Sequence, residues 1–282
     1  MKKLLLPILA LTAAGSIANA SLIVNEHFNY STGGLGTTAV TGTGLTGNWG
    51  GSVTAGVISG TAGGAITNSW SYTPPTNYAP APTFNQYRTG NGTQNSFAAF
   101  SSNISTSADA TYYMSYFFRV GTTGNVTSSY AQVGLANTNA SNLDYLWIGK
   151  GSTTSVFSVK FGSDSSELTT TGITADTDYF VTAKLSISSA GNDSLAFKLY
   201  TSADTLPVAE PVTWDYTASA ELGAGSFTGI GFRNGSGQTD IRSDEFRLGT
   251  TWAAVTVPEP TTWALLAGSL TTLMIFRRRR AA

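Results

Sequence analysis

Within residues 110–120, ATYYMSYFFRV, the side chains of Tyr112, Met114, Tyr116, Phe118 and Val120 share one parity, and Tyr113, Ser115, Phe117 and Arg119 share the other. A period of two constrains this chain more than any other feature, because successive side chains of a strand point to opposite faces of a sheet. It recurs in TDYFVTAKLSI (177–187), SVFSVKF (155–161) and SLAFKLY (194–200). Gly121 to Asn125, Gly162-Ser163-Asp164, Ala190-Gly191-Asn192-Asp193 and Asn234 to Gly237 punctuate the runs with turn residues. The spacing predicts about ten to fourteen strands and no helix before residue 260. No internal repeat divides the body, so the expectation is an all-β fold. Residues 21–256 would form a single antiparallel β-sandwich, each strand with one buried and one wetter face.

Composition narrows the function. Charged residues make up 11% of the chain, too few for helices built on Glu/Lys pairs. With no cysteine, the core must supply stability without disulfides, and thiolate nucleophiles and cysteine metal sites are excluded. Lys2, Lys3 and Arg277 to Arg280 hold six of the 15 basic residues, leaving 9 basic against 15 acidic side chains in residues 21–256. An acidic body has no basic surface for phosphate backbones, so nucleic acid is not an expected partner.

Both ends read as targeting segments. Lys2 and Lys3, the apolar run Leu4 to Ala14, and Ala18-Asn19-Ala20 have the order of a secretory signal, predicting cleavage by signal peptidase before Ser21. Near the other end, Thr261 to Phe276 is an uncharged run of 16 residues. As a helix it reaches ~24 Å against a hydrocarbon core of ~30 Å, so this transmembrane helix needs help from its flanks. Arg277, Arg278, Arg279 and Arg280 would give it by reaching cytoplasmic headgroups. Pro258 and Pro260 hold the approach to the membrane extended and open to a protease.

Val257, Pro258, Glu259, Pro260 and Thr261, followed by the short apolar helix and the arginine cluster, resemble the PEP-CTERM sorting signal of Gram-negative bacteria. The resemblance implies export, transient anchoring in the inner membrane and cleavage by an exosortase. The product would be released to, or displayed on, the cell surface, where exopolysaccharide is made. Residues 22–51, with Glu26, Phe28 and Tyr30 in an E-x-F-x-Y strand and then Asn48-Trp49-Gly50, resemble the opening of concanavalin A-like, laminin-G-like jelly rolls. Residues 243–256, SDEFRLGTTWAAVT, resemble their closing strand. This second resemblance implies that first and last strands meet, and it raises a structural calcium site. Asp144, Asp193, Asp240 and Asp244 are the scattered acids available, without the close spacing of an EF-hand loop; no other cofactor is expected.

Catalytic signals are weak. GTGLTG (42–47) fits G-x-G-x-x-G but opens no helix, so it reads as a loop. His27, the single histidine, lies beside Phe28 in the first strand and reads as a surface or hydrogen-bonded residue. Glycoside hydrolysis needs two carboxylates across a cleft. Laminarinase-type glucanases of similar fold carry E-x-D-x-x-E, which this sequence lacks. Glu26 and Glu245 would become neighbours if the terminal strands pair, although solvent-facing strand acids are the commoner outcome.

Aromatic rings offer more. Trp49, Trp70, Tyr72, Tyr78, Tyr87 and Trp147 fall in or beside Gly/Asn/Pro-rich stretches, with Trp147 reading as core. Residues 68–95 read as a long loop in which Trp70, Tyr72, Tyr78 and Tyr87 could stack on sugars. Seven Asn-x-Ser/Thr triplets follow from the Ser/Thr content. The sequence thus points to a non-enzymatic cell-envelope or extracellular protein, glycan-binding or structural in an exopolysaccharide layer. Its partners would be signal peptidase, exosortase, polysaccharide and the membrane. A polysaccharide-cleaving enzyme, hydrolase or lyase, on the same fold is the alternative.

Overall fold

The computed structural model describes residues 22–28, 30, 33–34, 38–51, 57–58, 74–78, 87–88, 94–120, 130–136, 146–152, 156–162, 168–222, 225–235 and 241–257. The signal segment and the C-terminal segment from Pro258 onward, with the expected transmembrane helix, lie outside them. Among the described residues no helix is long and apolar enough to cross a membrane.

Sixteen strands and one short helix are described. In order they are β1 (Leu22–Glu26), β2 (Gly33–Gly34), β3 (Leu45–Gly51), β4 (Val57–Ile58), β5 (Tyr87–Arg88), β6 (Gln94–Ser105), β7 (Ala110–Val120) and β8 (Ala131–Ala136). Then come β9 (Leu146–Lys150), β10 (Val156–Phe161), β11 (Leu168–Gly172), β12 (Asp178–Ile187), β13 (Asp193–Tyr200), β14 (Tyr216–Ala220), β15 (Ser226–Asn234), β16 (Ile241–Gly249) and α1 (Trp252–Thr256).

Two seven-stranded antiparallel sheets hold most of them. One runs β1-β16-β7-β12-β13-β14, with β5 also on β16; the other runs β11-β10-β9-β8-β15-β6-β3, while β2 and β4 pair separately. The first strand therefore lies on the last, with Glu26 opposite Phe246 and Asn25 opposite Arg247. The two-stranded crossing of β1 by the chain before β3 is so close that a Cβ on Gly44, at φ +78°, would stand 1.7 Å from the Ile23 carbonyl oxygen.

The alternation read from the sequence builds the space between the sheets. Tyr116, Phe118, Phe157, Phe197, Phe227 and Phe232 are buried there, and Phe118 meets Phe157 edge to face with centroids 5.3 Å apart. Tyr116 carries a hydroxyl into this core and donates it across the layers to the Ile148 carbonyl of the opposite sheet at 2.8 Å. A buried hydroxyl without that acceptor would cost free energy, so the bond also fixes the layers' register.

The expectation of one wetter face per strand holds in β13 and β14 and is corrected in the centre of β7 and β12. Tyr113 through Phe118 are all buried, because a second layer covers the outer face of β7 and β12. Tyr78, Leu206, Trp252 and Val255 pack there on Tyr113, Phe117 and Phe180, and the Trp252 indole donates to the Pro207 carbonyl. The expected closing strand over residues 243–256 is likewise shorter: β16 ends at Gly249 and the chain turns into α1. Thr251 caps that helix by accepting from the Ala254 amide at 3.2 Å. The outer face of the other sheet buries Trp147, as its core reading expects. The ring fills the space above Gly134 and Gly231, under the Arg233 guanidinium 4.7 Å from its centroid.

Trp252→Ala should therefore lower stability by about 3–5 kcal/mol, read as a shift of the urea midpoint. Deleting residues from 258 onward should leave that midpoint unchanged, whereas an unchanged midpoint in Trp252→Ala would contradict the helix's part in the fold.

Candidate functional site

The E-x-F-x-Y segment forms a turn where a strand was expected. β1 stops at Glu26 because its carboxylate accepts from the Phe28 amide and from the Tyr30 hydroxyl, each at 2.6 Å, while Phe28 takes φ +49°. The Tyr30 oxygen in turn accepts from the Trp49 indole at 2.9 Å and the Thr41 amide at 3.1 Å. GTGLTG runs into β3 within this knot, and a Cβ on Gly42 would stand 2.7 Å from a Glu26 carboxylate oxygen. Burial raises the Glu26 carboxyl above its ordinary range against these donors, and it pushes the Tyr30 phenol up to about 12, with Glu26 adding to the effect.

β16 carries the neighbouring acids. Its pairing with β7 slips between Asp244 and Arg247, and Glu245 sits at φ +50° in the irregularity. Glu245 accepts from the Tyr78 hydroxyl at 2.5 Å and from Arg247 at 3.4 Å; Arg247 also reaches the Val257 carbonyl at 3.3 Å. The Asp244 carboxylate accepts from the Glu245 amide at 2.7 Å. Its carboxyl is held well above the ordinary 3.8, first by burial and then by the charges of Glu245 and Glu26. The terminal strands pair with Glu26 opposite Phe246, the residue after Glu245, but the expectation of solvent-facing acids is corrected: Glu26, Asp244 and Glu245 are 0–2% exposed. They are structural partners within the fold, out of reach of a bulky substrate.

An open cleft lies at the end of the sandwich where three turns meet. It encloses about 470 Å³ and is lined by Thr106 and Ser107 from the β6–β7 turn, Ser188 to Asp193 from the β12–β13 hairpin, and Glu221 after β14. Two carboxylates lace these turns together. Asp193 accepts from the Ser188 and Leu222 amides, each at 2.9 Å, and Asp109 accepts from the amide and hydroxyl of Ser189 at 2.6 and 2.8 Å. β13 pairs with β14 with Asp193 opposite Ala220, which brings Asn192 beside Glu221. Both are exposed, and among the described residues neither side chain is tied up in a hydrogen bond or ion pair. Among the described residues no lysine or arginine lines the cleft. The sequence marks Asn192 as a turn residue only and does not mark Glu221; each is a lone polar residue at a strand end until the register joins them.

Of the sequence-derived ligand residues, Tyr78 lies elsewhere. Tyr78 is 5% exposed, with its ring 4.6 Å from Phe180 and 5.4 Å from Phe117, so it belongs to the covering layer and presents no platform for a sugar. The backbone of Tyr87 in β5 pairs with Ser243. Trp70 and Tyr72 lie outside the described residues, as do Ala18, Ala20, Pro258 to Thr261 and Arg277 to Arg280. Val257 is the last described residue and is half exposed. His27 follows β1 and is half-buried. Of the acids considered for calcium, Asp144 and Asp240 lie outside the described residues, and both Asp193 oxygens already accept amides. Among the described residues no group of three or more His, Cys, Asp or Glu could hold a metal ion.

No protein-family model and no curated protein matches the chain. Among solved structures it is similar to a protein of unknown function from Shewanella oneidensis MR-1 (10% identity, 92% of this chain and 100% of that one, TM-score 0.43). It is also similar to an endo-β-1,4-glucuronan lyase from the fungus Trichoderma reesei (15%, 64% and 87%, 0.39). A third is the binding domain of botulinum neurotoxin DC, solved with rat synaptotagmin II (12%, 89% and 52%, 0.47). Likeness at 10–15% identity with such TM-scores carries no activity from any of them to this chain.

The raised carboxyl makes a stability prediction. The folded state holds the Asp244 proton more tightly than the unfolded chain, so this group's contribution falls as pH rises above its ordinary 3.8. Asp244→Asn keeps the acceptor for the Glu245 amide and removes the charge. It should stabilise the protein at pH 7 on the order of 1 kcal/mol, with a smaller gain at pH 4. Urea melts at both pH values check this; a variant destabilised at pH 7 would contradict it.

Proposed function

We propose that this chain is an exported, non-enzymatic protein that binds glycan or builds matrix within an exopolysaccharide layer. Its body is a concanavalin A-like jelly roll, and residues 257–282 are a PEP-CTERM sorting signal. The protein is anchored in the inner membrane through Thr261 to Phe276, is cut near Pro258-Glu259-Pro260 by exosortase and reaches the surface of a Gram-negative cell.

The observation that carries the binding role is the polar cleft, with free Asn192 and Glu221 on a rim already fixed by Asp109 and Asp193. A fixed rim lowers the ordering cost of binding. Burial of the acids where the first and last strands pair supports the non-enzymatic reading. Cleavage of a glycosidic bond by two carboxylates requires both to face the substrate, about 5 to 10 Å apart. Here Glu26, Asp244 and Glu245 are buried, and Asp193 is 4% exposed with both oxygens engaged.

Docking of α1 also supports the sorting reading. Val255 and Thr256 are buried on the body, and Arg247 holds the Val257 carbonyl, so a cut beyond residue 257 leaves the fold whole. Replacing Pro258, Glu259 and Pro260 with alanine should leave the protein uncleaved and cell-bound; release like the wild type would overturn the sorting assignment. A glycan array probed with the labelled full chain should show retained spots, and a blank array would overturn the binding role.

A further inference from the structure

We infer that the end cleft lined by Ser107, Ser188, Asn192 and Glu221 is the glycan site and that its ligands are uncharged saccharides. This rests on the glycan-binding reading above and assigns it a place and a ligand class.

Charge decides the class. The carboxylates of Glu221 and Asp193 lie in the lining and Asp109 lies just behind Ser189, with no cation among the described lining residues. Lys184 and Lys198, on the strands that lead to and from the hairpin, are paired with Glu210 and Asp215. A uronate, sulfate or phosphate entering here would meet like charge without compensation, which costs affinity and slows encounter.

A divalent cation is the other natural guest of a carboxylate-lined cleft, but it wants six to eight oxygen ligands. Both oxygens of Asp193 accept backbone amides, and one Asp109 oxygen accepts from the Ser189 amide and hydroxyl, leaving Glu221 as the free carboxylate of the lining.

The free groups suit sugar hydroxyls. A carboxylate accepts two hydroxyl protons, as from a vicinal diol, while a carboxamide both donates and accepts. Glu221 and Asn192 supply that pair side by side, and the hydroxyls of Ser107 and Ser188 lie in the same lining. The volume of about 470 Å³ is within the usual range for small-ligand sites. Among the described lining residues there is no aromatic ring to stack on, so recognition runs through hydrogen bonds, and modest affinity per site follows.

The test uses the full chain in mild detergent, with affinity electrophoresis through gels containing dextran, laminarin or galactomannan as neutral probes and alginate or hyaluronan as acidic ones. At least one neutral polymer should retard the wild type, and chelator should not matter. Asn192→Ala and Glu221→Gln should each weaken that binding about tenfold. Glu221→Lys should abolish it and admit an acidic polymer. Because both side chains are exposed, urea midpoints should match the wild type and separate lost binding from lost folding. Neutral binding unchanged in all three variants would overturn the site while leaving the glycan-binding role standing. Retardation by acidic polymers alone, or loss on chelation, would overturn the ligand class. Retardation by none would overturn the underlying role as well.

Discussion

Pairing of the first strand with the last is the contact on which the rest of this body depends. β1 lies on β16 with Glu26 opposite Phe246, and through that ladder the chain's two ends close one of the two main sheets. The ladder sets the Glu26 carboxyl close enough to Asp244 for its charge to be felt there, and it leads the chain directly into α1 and the exit at Val257. Without a disulfide to hold the ends, this register is maintained by packing and hydrogen bonds alone. Such long-range pairing is slow to form, so the chain spends time unfolded before β1 and β16 meet.

Buried acids are the cost of that closure. Three carboxylates with Arg247 as the close cation would be unfavourable in an apolar core, yet each has donors built around it. Tyr30 and the Phe28 amide serve Glu26; Tyr78 and Arg247 serve Glu245. The positive φ values of Phe28 and Glu245 are where the backbone bends to bring those donors and acceptors together. The same arrangement removes the acids from solvent, which explains how paired carboxylates arise here without a cleft between them.

Much of the fold was legible in the sequence. The runs at 155–161, 177–187 and 194–200 become β10, β12 and β13 within one residue at either end, and the hairpin residues Ala190 to Asn192 turn where Gly and Asn placed them. Double-sided burial was not legible, because period two describes a strand and says nothing of a loop such as 204–214 that later covers it. Five residues of α1 are too few to show a helical period, and only the Thr251 cap marks its start. Tyr78 looked like a loop aromatic from its Pro and Asn neighbours, while its hydroxyl's partner, Glu245, is 167 positions away. The cleft was invisible for the same reason: its lining comes from three separate turns joined by sheet register.

Binding at the polar end of the body is the proposed activity of this protein. Affinity electrophoresis of the full chain through neutral and acidic polysaccharides, with reducing ends and unsaturated products assayed in the same mixtures, tests it most directly. Retardation with no released oligosaccharide is the predicted result; release of sugar from any of the polymers would contradict the account and make this sandwich an enzyme.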